Sequence, residues 1–260
     1  MAKNRALQQW RVEDSIELYG IRNWGAGYFN VSDAGEVVVC PQGSKGPQIP
    51  LPEIIAGLHE RGYDMPVLLR VENILDSRIA SIHESFRKAI KNLGYTGEYR
   101  GVFPIKVNQQ QQVVEKIAQF GACYHHGLEV GSKAELIAAV SLMRDAEACI
   151  VCNGYKDEEF IDLGLQALRL GFNVFFVLEM PGELDVLLER AKALGVRPNL
   201  GVRSKLAVKA GGHWTDSGGE RSTFGMSPAQ IVDVVDTLKA HDMLDCFRLL
   251  HYHLGSQVSN

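Results

Sequence analysis

A chain of 260 residues that is 46% apolar and 22% charged can bury a core without disulfide or metal support, which excludes disordered chains and cysteine-stapled miniproteins. Lys and Arg number 27 against 31 Asp and Glu, a net charge of −4; no basic block runs along the chain, so the electrostatic footprint of a nucleic-acid binder is missing. No apolar run reaches the roughly 18 residues of a membrane helix, and the opening MAKNRALQQWRVED lacks the apolar stretch of a secretory signal.

Residues 1–65 read as a β-rich segment belonging to a second β-domain. Short extended pieces are broken by turn formers, with Asp33-Ala34-Gly35 as a hairpin turn between residues 28–31 and 37–39. Residues 41–52 read as a Gly/Pro-rich loop and 53–61 as a short helix stopped by Gly62. Residues 66–260 follow another rhythm. Apolar, β-branched runs fall at 67–71, 99–105, 127–130, 149–152, 174–178, 199–203 and 248–254. Amphipathic helical stretches lie between most of them, at 74–93, 110–120, 132–143, 158–170, 183–194 and 229–240. Continuous apolar strands separated by helices predict parallel strands covered on both faces. The expected fold is α/β, a (β/α)8 TIM-type barrel truncated after about seven strands, and hence the front part of a longer protein. Residues 204–227, rich in Gly and polar side chains, are too long for a plain turn and read as a substrate-side loop.

The candidate chemistry sits where strands end. Lys106 closes the run GVFPIK; a lysine at a strand end pointing into the site is partly desolvated, which favours the neutral amine needed for a Schiff base, whereas one at the rim simply reaches solvent. Glu129 ends GLEV and is costly to bury without a purpose, while Glu135 reads as the capping partner of Ser132. Arg203 ends NLGVR, where a buried guanidinium needs an anionic or carbonyl partner. In HYHLGSQ, His253 offers an imidazole to lie on a conjugated ring, and Gly255-Ser256 offers a close backbone approach and a hydroxyl to a phosphate. His251 and His253, two apart, share a strand face as a two-histidine metal site would require, but no third ligand at metal spacing appears nearby, so the metal ligands are unknown. Five cysteines, Cys40, Cys123, Cys149, Cys152 and Cys246, lie in apolar stretches and suit free thiols in a reducing cytoplasm. Cys149 and Cys152 lie within a strand, with no helix N-terminus behind them to stabilise a thiolate.

GVFPIKVNQ, GLEVGSKAEL, CNGYKDEEFI, LGVRSKL, SGGERSTFGM and LLHYHLGSQ, in this order and spacing, resemble the biosynthetic arginine decarboxylases, pyridoxal-phosphate enzymes related to the ornithine and diaminopimelate decarboxylases. The resemblance runs from about Tyr19 to the last residue. It implies a barrel plus a β-domain and a homo-oligomer with sites at the subunit interface. It also implies a function: decarboxylation of L-arginine to agmatine and carbon dioxide for polyamine (putrescine and spermidine) biosynthesis. The implied cofactors are pyridoxal 5′-phosphate and magnesium. Carried onto matching positions, Lys106 would hold the cofactor as a Schiff base, His253 would stack on its ring and Ser256 would bind its phosphate. Arg203 would lie near the phenolic oxygen. Glu129 would take the place of an active-site acid, which is Asp in the ornithine enzymes. The alternatives are a decarboxylase of ornithine, lysine or diaminopimelate, and a non-catalytic relative that binds pyridoxal phosphate or partners.

Overall fold

The computed structural model describes residues 9–43, 46–206 and 222–255, and the chain divides into two compact units, Met1–Ile82 and His83–Asn260. In the first, α1 (Val12–Leu18), α2 (Ile21–Gly25) and α3 (Leu51–Glu60) accompany β1 (Phe29–Val31), β2 (Val37–Val39) and β3 (Ile49–Pro50). The three strands form one antiparallel sheet in the order β1-β2-β3. The hairpin stands as predicted, with Phe29 opposite Val39 and Val31 opposite Val37. The helices α1 and α2 correct the reading of this stretch as extended pieces. The Asp14 carboxylate accepts the Arg11 N–H at 2.8 Å, so a local cap outweighs the glycines that follow. A second correction concerns residues 67–71, expected as the first strand of the barrel segment: VLLRV joins no sheet among the described residues, and Leu68 is 75% exposed. An apolar run becomes a strand only when another strand accepts its ladder bonds.

The second unit opens in the course of α4 (Glu72–Leu93) and then alternates strand and helix. β4 (Val102–Pro104) is followed by α5 (Gln111–Gly121), β5 (Gly127–Val130), α6 (Lys133–Leu142), β6 (Cys149–Cys152) and α7 (Glu158–Arg169). Then come β7 (Asn173–Leu178), α8 (Gly182–Leu194), β8 (Asn199–Arg203), α9 (Pro228–Ala240) and β9 (Phe247–His251). The six strands pair in parallel in the order β4-β5-β6-β7-β8-β9, which follows the chain without reversal. Local signals start the helices: the side chains of Ser132, Asp157 and Ser227 accept the N–H groups of Glu135, Phe160 and Gln230. Gly195, at φ 64°, ends α8.

Strand alternation sends Leu128, Val130, Ile150, Cys152, Val174, Phe176, Leu178, Leu200 and Val202 to one face. There they pack against Leu136, Phe160, Ile161, Leu165, Leu187 and Leu238 of the helices, all essentially fully buried. The other parity, including Glu129, Val151, Arg203, Leu249 and His251, lines a cavity. At the opposite end of the sheet, His83 and His126 are buried and share a hydrogen bond of 2.9 Å between Nε2 and Nδ1, with Tyr124 stacked on His83.

Two outcomes follow from this packing. A Cβ on Gly164 of α7 would stand 2.6 Å from the ring of the buried Phe176. Gly164→Ala is therefore expected to lower stability by about 1–2 kcal/mol by urea unfolding, because overpacking exceeds the gain of up to ~1 kcal/mol in helix propensity. Burial first, and the neighbouring His83 second, lower the His126 pKa from 6.5 to about 4. Between those values the unfolded chain binds the extra proton, so stability that is fully present above the unfolded value is lost as pH falls towards the folded one. The slope is up to ~1.4 kcal/mol per pH unit, and His126→Asn is expected to remove most of it in urea titrations across that window.

Candidate functional site

Each of the six parallel strands delivers side chains or backbone from its C-terminal end to one cavity of about 880 Å³. Lys106 comes just after β4, Glu129 from β5, Asn153 and Gly154 from beyond β6, Glu179 from beyond β7, Arg203 from β8, and His251, His253 and Gly255 from β9 and the residues after it. Ladder registers place Glu129 between Pro104 and Val151, and Arg203 beside His251.

Lys106 Nζ lies 3.5 Å from Glu129 Oε1, and Asn153 Nδ2 donates to the same oxygen at 3.2 Å. Glu129 is 7% exposed. Of the two readings left open for Lys106, the exposure of its side chain, 60%, matches the lysine at the rim, and the residue still lines the cavity. The strand stops at Pro104, and the lysine rises from a 3₁₀ turn, Ile105–Val107, beyond it. The partner that Arg203 required is Glu179: Arg203 Nη1 donates to Glu179 Oε2 at 2.9 Å, and the Gly154 N–H donates to Oε1 at 2.6 Å. Glu179 is 1% exposed. Sequence reasoning passed over it, although it follows the apolar run VFFVL in the same way that Arg203 closes NLGVR. Glu135 keeps its structural role, with a variation: its N–H caps onto Ser132 Oγ, while its carboxylate accepts from the Gly131 N–H at 2.6 Å and from Gln109 Nε2 at 3.1 Å.

Strand β9 ends at His251, so the shared strand face expected for His251 and His253 does not form; His253 stands in the irregular segment beyond. Burial first, and then the Arg203 guanidinium, lower the pKa of both histidines, with Lys106 adding to the effect. Ser256 lies outside the described residues, as do the Ser217–Glu220 motif and most of the predicted substrate-side loop; Ser222, Thr223 and Phe224 line the cavity. Arg203 also lies over the Phe224 ring, 5.8 Å from its centroid. Cys152, pushed up to about 12 by complete burial, is no thiolate.

The cavity is within the size range of small-molecule sites. Two residues on its wall carry buried polar atoms, Asn153 Oδ1 and His251 Nδ1, that have no hydrogen-bond partner among the described residues. An amine beside a carboxylate, a guanidinium, imidazoles and orphaned polar atoms form a donor set that fits a polar aldehyde-bearing cofactor. Among the described residues, no group of three or more His, Cys, Asp or Glu side chains is arranged to hold a metal ion.

The family model described as "Pyridoxal-dependent decarboxylase, pyridoxal binding domain" matches residues 79–260, and the chain belongs to that family. It is 46% identical to the biosynthetic arginine decarboxylase of Gloeobacter violaceus and 49% identical to that of Rhodopirellula baltica, in each case over 97% of this chain. It spans 39% and 38% of the length of those relatives. Among solved structures, the biosynthetic arginine decarboxylase SpeA of Campylobacter jejuni superposes with a TM-score of 0.80 at 33% identity, over 92% of this chain and 37% of that one. A diaminopimelate decarboxylase from M. jannaschii, in co-complex with L-lysine, shares the fold, with a TM-score of 0.61 at 20% identity over 90% of this chain and 49% of its own.

Because Glu179 is almost fully enclosed, removing its cationic partner leaves a buried charge uncompensated. Arg203→Met is expected to cost about 3 kcal/mol or more in urea unfolding. Arg203→Lys is expected to recover only part of that, since an ammonium replaces the planar fork with a single point charge.

Proposed function

We propose that the protein decarboxylates L-arginine to agmatine and carbon dioxide with pyridoxal 5′-phosphate, and so supplies agmatine for putrescine and spermidine biosynthesis. The observation that carries this reading is the identity of 46% and 49%, across nearly the whole chain, to relatives named biosynthetic arginine decarboxylase. When bound, the cofactor supplies an electron sink for the bond between the substrate's Cα and its carboxylate.

The chain's own residues divide the remaining work. Lys106 Nζ, exposed on the cavity wall, would be the amine that holds the cofactor, and Glu129 Oε1, 3.5 Å away, would orient it. His253, with its pKa lowered, presents a neutral imidazole at pH 7 to lie against a conjugated ring. Arg203, held by Glu179, would lie near the cofactor's phenolic oxygen and could donate to it. Ser256 is assigned to the phosphate on the resemblance. Magnesium, implied by the same resemblance, receives no ligand set among the described residues, and no step uses it.

The strand order β4 to β9, rising with the chain, supports a (β/α)8 barrel for this unit, since doubly wound sheets reverse their order at a switch point. Residues 1–65 are read as part of a second β-domain and the complete protein as a homo-oligomer. No helix among the described residues is long and apolar enough to cross a membrane. All five cysteines are unpaired, which supports a reducing, cytoplasmic setting.

Adding pyridoxal 5′-phosphate to the purified protein is expected to raise a visible absorption band that borohydride fixes to the peptide containing Lys106 and that Lys106→Ala abolishes. Carbon dioxide release is expected from arginine at about tenfold or more over ornithine, lysine or diaminopimelate. A band without turnover of any of the four would favour the non-catalytic relative, and folded protein without a band would overturn the reading.

A further inference from the structure

One buried charge pair beside the cavity has none of the roles assigned above. The side chains of Lys156 and Glu183 are 0% and 3% exposed, with Lys156 Nζ 3.3 Å from Glu183 Oε1. Their other bonds all go to backbone. Lys156 Nζ donates to the Gly154 carbonyl at 2.6 Å. Glu183 Oε1 accepts the Lys156 N–H at 3.0 Å, and Oε2 accepts the Glu179 N–H at 2.7 Å. The pair therefore ties the turn after β6 to the turn after β7.

An enclosed ion pair is a poor choice for stability alone, because apolar side chains of similar volume often serve as well or better. What this pair determines is direction. Gly154 sits at φ 74°, a left-handed conformation that glycine adopts without strain. Its carbonyl is held by Lys156 and its N–H points to Glu179, while the adjoining Asn153 reaches Glu129. Displacing Gly154 would disturb both carboxylates of the cavity and, through Glu179, Arg203 as well. We propose that Lys156 and Glu183 are positioning residues: their buried pair sets the Asn153–Gly154 turn in the geometry that orients Glu129 and the Glu179–Arg203 pair. What that geometry serves rests on the reading of the cavity as the pyridoxal phosphate site.

The test is an NMR titration of the His251 and His253 rings in the protein without cofactor, since both imidazoles feel Arg203 and Glu179. Lys156→Met and the doubly substituted Lys156→Met, Glu183→Gln protein, which leaves no buried lone charge, are compared with the unsubstituted protein. Both are expected to fold, to move the two titration midpoints by about 0.5 pH unit or more, and to weaken pyridoxal phosphate binding about tenfold. Unmoved midpoints with only a lower unfolding midpoint would make the pair merely structural and overturn the proposal. Failure of both variants to fold would overturn it as well. Absence of a cofactor band in the unsubstituted protein would count against the functional reading alone, because the histidine measurement needs no cofactor.

Discussion

The carboxylate of Glu179, at 1% exposure, is the constraint on which the site depends. A charge removed from water to that degree is costly unless hydrogen bonds and a counter-charge replace its hydration. The replacements come from different parts of the chain: the Gly154 N–H from the turn after β6 and the Arg203 guanidinium from the end of β8. The backbone of Glu179 is engaged too, its N–H by Glu183 and its carbonyl by the Gly225 N–H. Satisfying one buried acid thus brings three strand ends and the returning segment around Gly225 into a single arrangement. Arg203, half of that pair, is consequently a cation already matched by an anion, with its direction set from behind.

The cavity exists because the sheet sorts its side chains by parity. Leu128, Ile150, Phe176 and Leu200 go to the helices, and the intervening positions go to the opposite face. Polar groups on that face gather at the C-terminal ends of the strands, where the backbone leaves the ladder and the cavity opens, whereas Val177, Gly201 and Leu249 occupy the positions further in. Gly201 is required there, since a Cβ would stand 2.8 Å from the Leu249 side chain. Chemistry collects where it does not interrupt the apolar face that holds the sheet to its helices.

Much of this could be read along the chain. The strands from β4 onward were visible as apolar runs, and the helices between them as periodic stretches, one of them opening on Ser132, because alternation and capping are local. Lys106, Glu129 and Arg203 drew attention as polar residues at the ends of such runs, and all three line one cavity with His253. Other features were not legible. VLLRV has a strand's composition, yet no described strand accepts its ladder bonds. Whether Lys106 would be desolvated or reach solvent stayed open, because it depends on where the strand stops; it stops at Pro104, and the lysine rises from a 3₁₀ turn with its side chain 60% exposed. Neither Lys156 nor Glu183 carries a local sign of burial. Their burial depends on a contact across 27 residues of chain.

The sequence by itself determined the alternation of strands and helices, the parity that separates core from cavity, the places where helices begin, and the residue types waiting at the strand ends. These follow from interactions between residues a few positions apart. Only the tertiary structure decided which of those end residues meet: Lys106 with Glu129, Arg203 with Glu179, and Lys156 with Glu183, each pair separated by more than twenty residues. The reason is physical. Burial and the choice of counter-charge depend on what the folded sheet brings alongside, and a charged residue carries no local mark of the partner that will make its burial tolerable.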